Sequence, residues 1–156
     1  MNLNMAHVHL IINHFPVVGI FGAILLLLYA LVRKSEEVKM VSLGVFVLIA
    51  LVTIPVFLTG GGAEDVVKHI PGVTEEYIGR HEEAAEYTIV LMEILGAVSL
   101  AGLVLLKLKG AVPRLITVLV LVLSLITAAA VGLTANLGGQ IRHTEIRDTA
   151  AAKEAR

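Results

Sequence analysis

LITVLVLVLSLITAAAVGLTANLGGQI, residues 115–141, contains no charged residue. About 20 apolar helical residues are enough to cross the hydrocarbon core of a bilayer. Three more stretches have the same character. Residues 10–32 and 40–62 carry no Asp, Glu, Lys or Arg, and residues 87–106 carry only Glu93. The chain of 156 residues is 57% hydrophobic and 16% charged, too apolar for an ordinary soluble domain. Four spans use most of it. The expected fold is all-α: an integral membrane four-helix bundle, one transmembrane domain over residues 1–156. The spans fall at about 10–33, 40–60, 81–107 and 112–137, with a polar cap at 61–80 and a tail at 138–156.

Four spans put both termini on one side. The loops at the other end are short and carry Arg33, Lys34 and Lys39, and then Lys107, Lys109 and Arg114. Basic residues in short loops mark the cytoplasmic side. The termini are therefore expected outside, in a bacterial inner (cytoplasmic) membrane. Residues 1–9 hold no Lys or Arg, so the first run reads as a retained helix rather than a secretory signal. The absence of cysteine excludes disulfides, iron–sulfur clusters held by this chain and covalent haem attachment. No basic stripe suggests nucleic acid.

The punctuation predicts the helix ends. In Asn13-His14-Phe15-Pro16, Asn is a good N-cap and Pro suits a first turn, so a helix starts or kinks there. Residues 5–12 then form a short lead-in at the interface. Gly60-Gly61-Gly62 is expected to end the second helix, and Pro71-Gly72 to divide the cap into two short interfacial helices. Gly138-Gly139 is expected to break the fourth helix. Pro55 predicts a kink, with Thr53 or Thr59 satisfying freed backbone groups.

All six histidines, His7, His9, His14, His69, His81 and His143, fall at the end of the bundle that holds the termini. Imidazole is the commonest protein ligand for metals and is costly at a membrane boundary without a partner. His9 and His14 lie about 140° apart on a continuous helix, so a break is needed to bring them to one partner. His81 opens the third span beside Glu82 and Glu86, carboxylates that can orient a ligand imidazole. Glu82, Glu86 and Glu93 lie within about 40° of one another on that helix. Glu93, half-way into the span, reads as either a proton-active group or a packing hydrogen bond. Arg142 can pair with an acid of the cap or with a carboxylate of a ligand.

His9-x-x-x-x-His14-Phe15-Pro16, Thr59-Gly60 with Glu64-Asp65, His81, and Gly138-Gly139-x-x-x-His143 occur in that order. Together they resemble a bacterial family of small four-helix membrane proteins catalogued as a domain of unknown function, over nearly the whole chain. The family pattern has Pro where this chain has Leu10, and an apolar–aromatic pair where it has Ile141-Arg142. In architecture the family is similar to the four-helix b-type cytochromes, which hold haem between histidines on different helices.

The resemblance implies haem b bound near the extracytoplasmic face. His14 and His81 are the first ligand pair expected, and His9 and His143 the second or an exit-side pair, with Arg142 serving a propionate. The role would be electron transfer, with a redox partner or inside a larger membrane complex. An alternative is copper or zinc on the same four histidines with Glu82 or Asp65. A third is a structural accessory subunit without cofactor. The sequence offers no nucleophile–base pair or phosphate loop, which points away from an enzyme. Self-association stays open.

Overall fold

The structure is a computed structural model and describes residues 3–147. It is built of helices only: α1 (Met5–Ile12), α2 (His14–Arg33), α3 (Glu36–Val67), α4 (Glu75–Lys109) and α5 (Arg114–Arg142), followed by a 3-10 turn at Thr144–Ile146. Helices α1 and α2 are consecutive segments of one path, separated at Asn13, and together they make the first of four stretches long and apolar enough to cross a membrane. The other three are α3, α4 and α5. This is a multi-pass membrane four-helix bundle.

Each helix packs on the next, and α2 closes the ring against α5. The short α1 leaves the line of α2 and lies along α3. Its start is fixed by Asn4, whose side chain accepts from the His7 N–H at 3.0 Å. The core holds Ile20, Leu27, Leu43, Phe46, Met92, Leu95 and Val120, all fully buried. Between them small residues bring helices close. A Cβ on Gly96 would stand 2.5 Å from that of Ala50, so α3 and α4 touch there almost backbone to backbone. The outer faces expose Leu25, Leu48, Leu58, Val32 and Leu133. In water such a continuous apolar surface would aggregate; against lipid it is the expected solvent contact.

The turns away from the histidines are tight. Lys34 adopts a left-handed φ of 52°, and Ser35 then caps α3 by accepting from the Val38 N–H. Gly110, at φ 75°, ends α4. The Glu36 carboxylate spans both turns. It pairs with Lys39 and accepts from the Val112 N–H at 3.0 Å.

The helix ends depart from the sequence expectation at the opposite end. Gly60-Gly61-Gly62 does not end its helix, since α3 runs on to Val67. Gly138-Gly139 likewise lies inside α5, which reaches Arg142. Glycine breaks helices in water chiefly through backbone entropy and exposure. Here the missing Cβ atoms make room for a neighbour. A Cβ on Gly62 would stand 3.0 Å from Met5 Cγ, and one on Gly138 would stand 3.0 Å from His81 Cε1. Consequently no separate cap helices form at 61–80; α3, one turn around Pro71-Gly72 and α4 from Glu75 take up that stretch.

Pro55 sits inside α3, and the carbonyl that lacks its N–H is that of Leu51. Thr53 and Thr59 do not serve it. Thr53 donates to Ile49 O at 2.8 Å, and Thr59 reaches Pro55 O at 2.9 Å and Val56 O at 2.8 Å. These are the ordinary bonds of a helical threonine to its own preceding turn.

Candidate functional site

The histidines separate into one inward pair and several outward groups. His9, on α1, is half-buried against α3. Its Nδ1 lies 3.1 Å from Val56 O and 3.1 Å from Thr59 Oγ1. A carbonyl oxygen only accepts, so the His9 Nδ1 carries the proton and Nε2 is left with its lone pair. His81, in the second turn of α4, is also half-buried. Its Nδ1 donates to Thr134 O of α5 at 2.9 Å. That fixes the same tautomer, again with Nε2 free.

Each ring rests on a glycine. Gly60 lies under His9, where an added Cβ would stand 4.0 Å from Cε1. Gly138 lies under His81, where it would meet Cε1 at 3.0 Å and Nδ1 at 3.1 Å. Thr134 binds α4 twice. Its carbonyl holds His81, and its hydroxyl meets that of Thr88 at 2.8 Å. The site thus draws His9 from the first span, Val56, Thr59 and Gly60 from the second, His81 from the third and Thr134 with Gly138 from the fourth.

The other candidates stand elsewhere. His14 is exposed, and its Nδ1 donates to Leu10 O of the preceding turn at 2.7 Å. The chain breaks at Asn13, ahead of Pro16, and this leaves His9 inward and His14 outward. His143 is exposed and meets Glu145 at 2.9 Å. With its own backbone N–H and His143 alongside, the Glu145 carboxyl is held below the usual glutamate range. His7 bonds Asn4 within its own turn, and His69 is exposed. The structure therefore turns His9 and His81 inward, each held by a neighbouring helix, a combination the spacing of the sequence did not single out.

Glu82 and Glu86 are exposed on α4. Asp65 is exposed and paired with Lys68, whose ammonium it holds above the usual lysine range. Glu93 is half-buried, and its Oε1 has no hydrogen-bond partner among the described residues. Arg142 is exposed and makes no ion pair among the described residues. The arginine that engages the bundle is Arg147. Its guanidinium donates to Gln140 O, Gly72 O and Ile141 O and lies over the Tyr77 ring. Nothing in the sequence distinguished it from its neighbours in a polar tail.

Among the described residues, no three His, Asp or Glu side chains converge as a metal-binding group. The donor set at the inward site is two imidazoles. Structural zinc sites use four protein ligands and catalytic ones three, whereas haem iron takes one or two axial ligands. The side chain of Gln140, near the same end of α5, is buried and leaves Oε1 without a partner. No protein-family model, curated protein or solved structure matches the chain.

Proposed function

We propose that the chain binds haem b between its first and third spans, with His9 and His81 as axial ligands, and serves in electron transfer. One observation carries this reading. Two imidazoles on different helices each have Nδ1 committed to a main-chain carbonyl of another helix, Val56 on α3 for His9 and Thr134 on α5 for His81, which leaves each Nε2 without a hydrogen bond. Metal-bound histidines are oriented in this way, and the bond to Nδ1–H raises the basicity of the coordinating nitrogen. The glycines beneath the rings make room for the imidazoles themselves, and the core beyond them is apolar. Haem supplies one-electron redox chemistry when bound. The chain supplies the ligands, their tautomers and a water-poor setting. The resemblance to the four-helix family supports the same class. With two donors rather than three or four, haem is favoured over copper or zinc.

The short basic loops at the other end support placing the histidine end on the extracytoplasmic side of a bacterial inner membrane, facing a redox partner there. The chain has no native thiol, so single cysteines at Lys34 and His69 can report sidedness through an impermeant maleimide on intact cells. Labelling at 69 alone is expected.

The decisive test is the optical spectrum of the purified protein, as isolated and after addition of haemin. A Soret band is expected, lost in His9→Ala and in His81→Ala and retained in His14→Ala and His143→Ala. Absence of the band after reconstitution, or its survival in both inward variants, sinks the reading.

A further inference from the structure

The chain does not leave the bundle at the end of α5. The turn Thr144–Ile146 folds back, and a Cβ on Gly139 would stand 3.2 Å from Ile146 Cδ1. Arg147 follows. Its Nε donates to Gln140 O at 2.8 Å, and its Nη2 donates to Gly72 O at 2.9 Å and Ile141 O at 3.0 Å. The guanidinium carbon lies 4.1 Å from the centroid of the Tyr77 ring. Among the described residues it has no acidic partner.

These contacts join three elements. Gln140 and Ile141 belong to the last turn of α5, Gly72 to the turn before α4, and Tyr77 to the first turn of α4. An arginine that merely capped α5 would need only the first two. Tyr77 precedes His81 by one turn, about 6 Å along the axis. Gly138, which carries the His81 ring, lies one turn before Arg142 on α5. The three tied points therefore frame the seam between α4 and α5 just outside His81.

The geometry points to residues 144–147 as a strap that closes the α4–α5 seam over His81, with Arg147 as its latch. This rests on the reading that the His9–His81 pair is the binding site, and it adds the route by which that site opens to water. Among the described residues the latch is held by neutral carbonyls and an aromatic face, with no countercharge. A carboxylate or phosphate binds a guanidinium more strongly than a carbonyl does, so an arriving anionic group can draw the latch away.

The test is modification of individual histidines by diethyl pyrocarbonate, read by mass spectrometry on haem-free full-length protein in detergent. The reagent acylates a free Nε2. In the parent chain His81 is expected to react far more slowly than exposed His14. In Arg147→Ala the His81 rate should rise about tenfold, the response to losing a latch of ordinary hydrogen-bond strength, while the His14 rate stays fixed. Arg147→Lys keeps the charge but not the fork and should fall between. Tyr77→Leu retains an apolar plug and serves as the second variant, with a smaller rise expected. An unchanged His81 rate in Arg147→Ala with helicity retained overturns the strap, and so does an equal rise at all histidines. Haem uptake is measured separately. A chain that takes up no haem still tests the strap, and a failed strap leaves the haem reading standing.

Discussion

The two ends of this bundle solve the same problem in opposite ways. At the end holding Lys34 and Gly110, two turns reverse the chain, and one carboxylate, Glu36, satisfies an ammonium on its own helix and an N–H across the bundle. At the histidine end the helices overrun their glycines, two imidazoles keep a free nitrogen, and Gln140 Oε1 is left without a partner. The first end is finished as protein. The second leaves polar atoms without a protein partner among the described residues.

The contrast can be broken most forcefully at the closed end. Glu36→Ala leaves Lys39, 9% exposed, without its partner and frees the Val112 N–H. It should cost about 3 kcal/mol in unfolding measurements, with haem content unchanged. Gly138→Ala is its counterpart at the open end. The new methyl must displace a ring held by Thr134, so a loss of about 2 kcal/mol is expected together with weakened haem binding. If Gly138→Ala leaves the spectrum intact, the ring does not need its glycine. Gly110→Ala meets no neighbour and pays only for its left-handed backbone. A loss of about 1 kcal/mol by thermal melting is expected, without spectral change.

His14→Ala should alter neither stability nor spectrum, since the side chain is exposed and bonds only its own preceding turn. The smallest effect belongs to Glu145, fully exposed. Its lowered pKa means that its favourable contacts are present above the ordinary glutamate range and fade as pH falls through its own, lower midpoint. A site-resolved NMR titration should place that midpoint below the ordinary glutamate range. A midpoint within or above that range would remove the His143 contact.

The four spans were legible because hydrocarbon imposes a length and an absence of charge that 20 or so residues display openly. The helix ends were not. Gly60-Gly61-Gly62 and Gly138-Gly139 carry the composition of a helix stop in water, and only the positions of Met5 and His81 reveal that they serve packing. The histidine cluster was visible as a cluster. The 140° separation of His9 and His14 already implied that one of them faces away, but which one depended on where the chain breaks, at Asn13 or at Pro16. Thr134, Val56 and Arg147 act through main-chain carbonyls or bind to them, and no side-chain pattern encodes that.

The distribution of the inward pair over the chain has a consequence for biosynthesis. Membrane helices leave the insertion machinery in order, and His9 emerges with the first of the four spans. Its acceptor carbonyl at Val56 arrives with the second span and its companion imidazole with the third. The carbonyl that aims this companion, Thr134, arrives only with the fourth. A chain interrupted before α5 can insert three helices and still present no oriented pair. The arrangement thus waits on the arrival of the fourth span, and ribosome-arrested fragments of increasing length offer a way to watch it form.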